Sequence, residues 1–106
     1  MTAEERFDRI AARHLAEAGV SEGTGFGANA GLRVGGKIFA MLVHGRLVVK
    51  LPAKRVEALV DERAGRRFDP GHGRIQREWL DVSSDDFETW VALASESEAF
   101  VARRKA

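Results

Sequence analysis

Two closely spaced turn sequences constrain the fold of this 106-residue chain more than any other feature. They are Gly35-Gly36 and His44-Gly45. The turns separate three apolar runs, which cover residues 32–34, 37–43 and 46–51. Two-residue turns of this kind need positive backbone φ angles, which glycine adopts without steric cost, and they join neighbouring antiparallel strands. The sequence therefore predicts a three-stranded antiparallel meander.

The segments on either side of the meander predict three helices. Thr2, followed three residues later by Glu5, forms a capping box, which is typical of a helix N-terminus. A second helix is predicted to begin at Pro52, because proline fits the first turn of a helix. A final helix is predicted after Ser83 or Ser84, where a serine cap and acidic residues suit the positive end of a helix.

The remaining segment contains turn residues and then a strand pattern. Residues 65–77 are predicted to be mostly loop, and residues 78–82 a strand, with a short partner strand around 74–77. The chain, residues 1–106, is therefore predicted to be one α+β domain. Its expected architecture is a two-layer sandwich of order α-β-β-β-α-β(β)-α with an antiparallel sheet.

The composition excludes several classes of protein. The chain contains no cysteine, which rules out disulfides and thiolate metal sites. The N-terminus lacks the basic start and apolar run of a signal peptide, and the longest apolar run, 38–43, is far too short to cross a bilayer. We therefore expect a cytoplasmic protein with no membrane partner.

Alternation along the meander predicts which side chains share a face of the sheet. One face is uniformly apolar and is expected to lie under the helices; it would hold Ile38, Ala40, Leu42, Leu47, Val49 and Leu51. The other face combines an apolar centre with a basic rim, which is typical of an interaction surface. Its predicted dimer or partner residues are Leu32, Phe39, Met41 and Val48. The alternative is that a helix or the 65–77 loop covers this face.

Positive charge is concentrated in the middle of the chain. Residues 33–79 carry eleven basic and five acidic side chains, although the whole chain has a net charge of +1. Clusters of arginine and lysine bind phosphates and acidic proteins. The predicted anion, nucleic-acid or partner contacts are Lys50, Lys54, Arg66, Arg67, His72, Arg74 and Arg77. The alternative is a solvated face that balances neighbouring acids, and the scarcity of aromatic residues there disfavours a base-stacking platform.

No motif in the sequence specifies a reaction, a metal or a cofactor. The glycine-rich segment 25–31 precedes a strand, whereas a phosphate-binding loop needs a strand before it and a helix after it. The three histidines are widely spaced, and His14 is interpreted as a residue at the edge of the core. His72 has general-base potential, but no nucleophile accompanies it. We therefore predict that the protein is not an enzyme.

The hairpin sequences resemble a known family. Residues 31–42, GLRVGGKIFAML, and residues 45–50, GRLVVK, are similar to the N-terminal domain of TfoX/Sxy proteins and to the related YjbR type of small bacterial domain. The resemblance implies a two-layer α+β fold of the secretion-chaperone-like kind. It also implies a regulatory role connected with DNA-uptake competence and the transcription machinery, and it supplies no catalytic residues. The loop at 68–74 has no counterpart in the competence regulators, which indicates a separate subgroup.

Together these features predict a non-enzymatic regulatory or protein-interaction domain that acts through a protein partner or by self-association. The alternative is a nucleic-acid-binding protein that uses the basic segment 50–77. The sequence specifies neither a cofactor nor a small-molecule ligand.

Overall fold

A six-stranded antiparallel sheet forms the centre of the computed structural model, which describes residues 1–24, 29–71 and 73–104. The strands are β1 (Val20–Thr24), β2 (Ala30–Val34), β3 (Lys37–Val43), β4 (Arg46–Lys50), β5 (Gly65–Phe68) and β6 (Gln76–Val82). The helices are α1 (Ala3–Leu15), α2 (Ala53–Asp61) and α3 (Phe87–Arg103). The strands are hydrogen-bonded in the order β1-β2-β3-β4-β6-β5. The predicted α+β class is confirmed.

Both turns of the predicted meander are present. Gly35 and Gly36 have φ angles of 59° and 80°, and they connect β2 to β3. His44 and Gly45 have φ angles of 50° and 75°, and they connect β3 to β4. Positive φ at both central residues defines a type I′ turn, whose twist matches that of the strands it joins. The three predicted strands correspond to β2, β3 and β4.

The sheet also contains strands that the sequence pattern did not predict. β1 pairs with β2, with Val20 opposite Val34. Its sequence, VSEGT, gives little apolar alternation because three of its five residues are exposed at the edge of the sheet. β6 pairs with β4 on one side and with β5 on the other. β5 lies before the loop, whereas the short partner strand was predicted around 74–77. β1 was not predicted and β5 was predicted at the wrong place; both are edge strands, where pairing depends more on the neighbouring strand than on hydrophobic pattern.

A β-bulge in β3 determines which residues face the helices. The pairing of β2 with β3 puts Arg33 opposite Ile38 and then shifts, so that Leu32 lies opposite Ala40. Phe39 is therefore the extra residue of the bulged strand, and side chains on the turn side of the bulge exchange faces. The prediction that Leu32 and Phe39 belong to an open partner face is wrong, because both are fully buried in the helix-side core. Ile38 packs on the opposite side.

All three helices pack on one face of the sheet, which we call the inner face. The core between the layers includes Phe7, Ile10, Leu47, Val49, Leu51, Val56, Leu59, Leu80, Val82, Trp90 and Val101. This arrangement is the predicted two-layer sandwich. Among residues 1–24, 29–71 and 73–104, no helix combines the length and the apolar character needed to span a membrane.

The N-termini of α1 and α3 are held by side-chain caps, whereas α2 begins after Pro52 without one. In α1, the backbone N–H of Glu5 donates to Thr2 Oγ1 at 3.1 Å, and the backbone N–H of Thr2 donates to Glu5 Oε1 at 2.8 Å. This reciprocal pair confirms the predicted capping box. In α3 the cap is Asp86, whose Oδ2 accepts from the backbone N–H of Thr89 at 3.0 Å, and not the predicted serine.

Ser97 of α3 joins the helix layer to the bulged strand. Its hydroxyl donates to the backbone carbonyl of Phe39 at 2.6 Å and accepts from the backbone N–H of Lys50 at 3.1 Å. The ladder between β3 and β4 begins one residue further on, with Ala40 opposite Val49. The fully buried Ser97 therefore satisfies two backbone groups at the place where the bulge interrupts strand pairing.

Candidate functional site

The face of the sheet opposite the helices, the outer face, has a small apolar cluster of its own. Met41 of β3 and Val48 of β4 pack there with Phe68 of β5 and Trp79 of β6. Met41 and Val48 do lie on the outer face, as the alternation predicted, but neither has exposed surface. Phe68 belongs to the segment 65–77, so part of that segment covers the predicted partner face. This matches the alternative that the sequence left open.

A nearly buried carboxylate beside this cluster holds two arginines. Asp81 accepts hydrogen bonds from Arg46 Nε at 2.8 Å, from Arg46 Nη2 at 2.5 Å and from Arg66 Nε at 3.2 Å. The side chain of Asp81 is 10% exposed, whereas those of Arg46 and Arg66 are 42% and 71% exposed. The hydrogen bonds to Asp81 raise the pKa of Arg46, although burial alone would lower it.

The strand register explains why these three residues meet. Asp81 lies opposite Val48 in β4 and opposite Arg66 in β5, so its side chain emerges on the outer face between the two strands. A guanidinium group has five N–H donors in a rigid plane. Asp81 engages two donors of Arg46 and one of Arg66, which orients both groups and leaves their other donors outside these hydrogen bonds.

These residues border a groove in the outer face, which we call the arginine groove. Its cavity volume is about 680 Å³. It is lined by the charged residues Arg46, Arg66, Asp69, Arg74 and Asp81, and by the less polar Val43, Phe68 and Pro70, among others. The Asp69 carboxylate accepts a hydrogen bond from the backbone N–H of Gly71 at 2.8 Å, which forms an Asx turn in the loop beside the groove. The groove therefore offers oriented guanidinium donors next to apolar surface.

The predicted basic cluster is divided between two sides of the sheet. Arg66 and Arg74 line the arginine groove. Arg67 and Arg77 instead lie beside α2, around a second cavity that Glu57 also lines. Arg67 Nη2 is 3.9 Å from Glu57 Oε2, so its charge is partly balanced there. Consecutive residues of a strand point to opposite faces, which is why Arg66 and Arg67 separate.

Lys50 and Lys54, two further predicted contact residues, do not join either group. Lys50 Nζ lies 5.6 Å from the centre of the Trp79 ring and 3.9 Å from Glu78 Oε1. Lys54 is an exposed residue of α2. His72 lies outside the described residues.

A second polar cluster connects the end of α1 with α3. His14 Nδ1 contacts Glu98 Oε1 and lies 3.6 Å from Glu17 Oε2. A hydrogen bond between the carboxyl groups of Glu17 and Glu98, together with their like charges, raises the pKa of Glu17. One atom from each of the three side chains lies within 4.8 Å of the other two, a spacing that a metal ion could bridge. The sequence-based interpretation of His14 as a residue at the edge of the core did not include these carboxylates.

The residues that organise both clusters were not identified from the sequence as site residues. Asp81 interrupts the apolar sequence Trp79-Leu80-Asp81-Val82 of a buried strand, and such an interruption indicates a charged partner. Glu98 is 84 residues from His14 in the sequence, so no local spacing connects them. The first signal was present in the sequence, whereas the second depends on tertiary packing.

No protein-family model, curated protein or solved structure matches this chain. The resemblance to the N-terminal domain of TfoX/Sxy proteins therefore depends on the hairpin residues alone, and it stays a prediction.

Proposed function

We propose that this chain is a regulatory or protein-interaction domain, located in the cytoplasm, whose binding site is the arginine groove. The occupant that fits best is a segment of a partner protein that carries an acidic side chain next to an apolar one. The observation that carries the proposal is the pair of guanidinium groups that Asp81 orients at the edge of the groove.

The orientation of the arginines supports recognition of a carboxylate. Free arginine side chains lose conformational entropy when they bind a ligand. Arg46 is already held through two hydrogen bonds to Asp81, so less entropy remains to be lost when its other donors bind an anion. Planar guanidinium groups bind carboxylates through paired hydrogen bonds. Phe68 and Pro70 add apolar lining for a neighbouring side chain of the same segment.

The distribution of charge favours a protein segment over a nucleic acid. Duplex binding needs a continuous basic surface that neutralises several phosphates. Here Arg66 and Arg67 face opposite sides of the sheet, and the arginine groove itself contains the carboxylates of Asp69 and Asp81. The predicted alternative, nucleic-acid binding through the segment 50–77, therefore has weaker support from the geometry than the binding of an acidic protein segment.

A titration with matched peptides tests the proposal. The isotope-labelled protein is titrated with a short peptide in which glutamate alternates with leucine, and with the same peptide carrying glutamine for glutamate. We expect only the acidic peptide to shift the Nε–H signals of Arg46 and Arg66. Arg66→Ala should weaken binding about tenfold or more, because it removes charged hydrogen bonds. Equal binding of both peptides would contradict the proposal.

Arg67→Ala is the matched control, because it removes the same charge from the next residue of the same strand on the other face. It should leave peptide binding nearly unchanged. Titration with duplex DNA at increasing salt separates the two functions. If Arg66→Ala and Arg67→Ala weakened DNA binding equally and flattened its salt dependence, nucleic-acid binding would be favoured over the proposed function.

A further inference from the structure

We propose that His14, Glu17 and Glu98 form a binding site for a divalent transition-metal ion such as Zn²⁺. The site is independent of the arginine groove, because these residues lie at the end of α1 and on α3, on the helix side of the sheet. The carrying observation is a buried imidazole nitrogen directed at two carboxylates from different parts of the chain.

The spacing of the three side chains suits a small metal ion. Zinc bonds of roughly 2.0–2.2 Å in a tetrahedral arrangement place neighbouring ligand atoms roughly 3.4 Å apart. His14 Nδ1 and Glu17 Oε2 are 3.6 Å apart, and Glu98 Oε1 is nearer still to the same nitrogen. All three ligand atoms lie within 4.8 Å of one another. Small side-chain movements would therefore bring them into one coordination sphere.

The charge of the site matches a divalent cation. Metal ligands bind in their deprotonated forms, so a coordinating imidazole with two carboxylates would supply a charge of −2 to the ion. Arg13 is the positively charged residue that lines the adjoining cavity. Its guanidinium lies 5.2 Å from the centre of the Phe87 ring, so it interacts with that aromatic face. An imidazole with carboxylates favours zinc, manganese or iron over magnesium or calcium, which prefer oxygen ligands alone.

The surroundings of the site leave room for further ligands. A cavity of about 160 Å³ adjoins it and is lined by His14, Glu17 and Ser95, among others. Its volume accommodates the water molecules that would complete the coordination of the ion. The His14 ring is itself held at a tilt against Phe39, with the ring centres 5.5 Å apart. Bound metal would thus connect the segment after α1 to α3.

Calorimetric titration with ZnCl₂ tests the proposal on protein that has been stripped with a chelator and dialysed. We expect one ion bound per chain, and a higher melting temperature with Zn²⁺ than with the same concentration of Mg²⁺. Glu98→Gln should lower the affinity for Zn²⁺ at least about tenfold. Glu96→Gln is the matched control, because Glu96 lies on the same helix but pairs with Arg55, and its affinity should equal that of the wild type.

A second variant separates loss of metal binding from loss of folding. The side chain of Glu17 is 55% exposed, so Glu17→Gln should fold normally and still bind Zn²⁺ at least about tenfold more weakly. Visible absorption of the Co²⁺ form should change when His14 is replaced by Gln. The proposal is overturned if the wild type binds less than one ion per chain, or if Glu17→Gln and Glu98→Gln both bind as tightly as the wild type.

Discussion

The two faces of the sheet use the same strands for different purposes. On the inner face, three helices cover an apolar surface, and the buried hydroxyl of Ser97 bonds to backbone groups of the strands. On the outer face, a much smaller apolar cluster around Met41 and Val48 lies beside Asp81 and its two arginines. The difference indicates that the inner face supplies most of the stability, whereas the outer face combines a minor core with the proposed binding site.

The largest expected effect comes from truncating one residue on each face. Val48 and Val49 are consecutive in β4, have no exposed surface, and face the outer and inner clusters respectively. Val49→Ala should lower the free energy of unfolding by about 2–3 kcal/mol, because the covering helices limit how far the structure can collapse into the cavity that the removed methyl groups leave. Val48→Ala should cost about 1–2 kcal/mol, because a smaller cluster can collapse more completely. Urea denaturation of both variants measures the two costs.

Two outcomes of that measurement would change the comparison. Equal costs would mean that the outer cluster is packed as firmly as the inner core. A cost near zero for Val48→Ala would mean that the outer cluster contributes little to folding. For both variants, the slope of the unfolding free energy against urea concentration should equal that of the wild type. A different slope would mean that the substitution altered the compactness of the folded or unfolded state and not only local packing.

The next effect concerns the hydroxyl that links the helix layer to the bulge. Ser97→Ala leaves the carbonyl of Phe39 and the N–H of Lys50 without their buried partner, so we expect a loss of about 1–2 kcal/mol. Ser95→Ala is the control on the same helix, since Ser95 is exposed, and it should change the unfolding free energy by less than about 0.5 kcal/mol. Alanine has a higher helix propensity than serine, so a loss in Ser95→Ala as large as in Ser97→Ala would mean that the hydrogen bonds at the bulge do not account for the effect.

The local features of the fold could be predicted from the sequence, whereas the bulge in β3 could not. The two type I′ turns and the capping box at Thr2 are local, and each was predicted from neighbouring residues. The bulge at Phe39 has no such local signature, since an apolar run reads the same with or without an extra residue. The predicted faces were therefore correct for Met41 and Val48, beyond the bulge, and wrong for Leu32 and Phe39.

The candidate sites were predictable only in part, for a related reason. Arg66 and Arg74 were identified from the density of positive charge, but that density does not say which side of a sheet each residue occupies. Arg67 belongs to the same run and lies on the other side. The contact between His14 and Glu98 depends on how α1 packs against α3, which no spacing along the chain encodes.

The smallest expected effect is a local loss of stability in acid at the first turn of α1. Hydrogen bonds with Thr2 lower the pKa of Glu5 below its ordinary value of 4.5. Because the folded-state pKa is the lower one, the capping box contributes its full stability above pH 4.5, and this contribution is lost as the pH falls through the folded-state pKa. We therefore expect hydrogen-exchange protection in the first turn of α1 to fall on acidification, before protection falls in β4 and β6.

Thr2→Ala tests whether the capping box causes this response. The variant keeps the backbone N–H of residue 2 but loses the hydroxyl, so the pKa of Glu5 should move part of the way back toward 4.5. A carboxyl titration by NMR measures that pKa, and exchange rates report the first turn of α1 in the same samples. If protection in the first turn of α1 and protection in β4 and β6 were lost at the same pH, the response would not be local. That outcome would mean that acid unfolds the helix layer and the sheet as one unit. The inner and outer faces would then differ in how tightly they are packed, but not in how acid affects their stability.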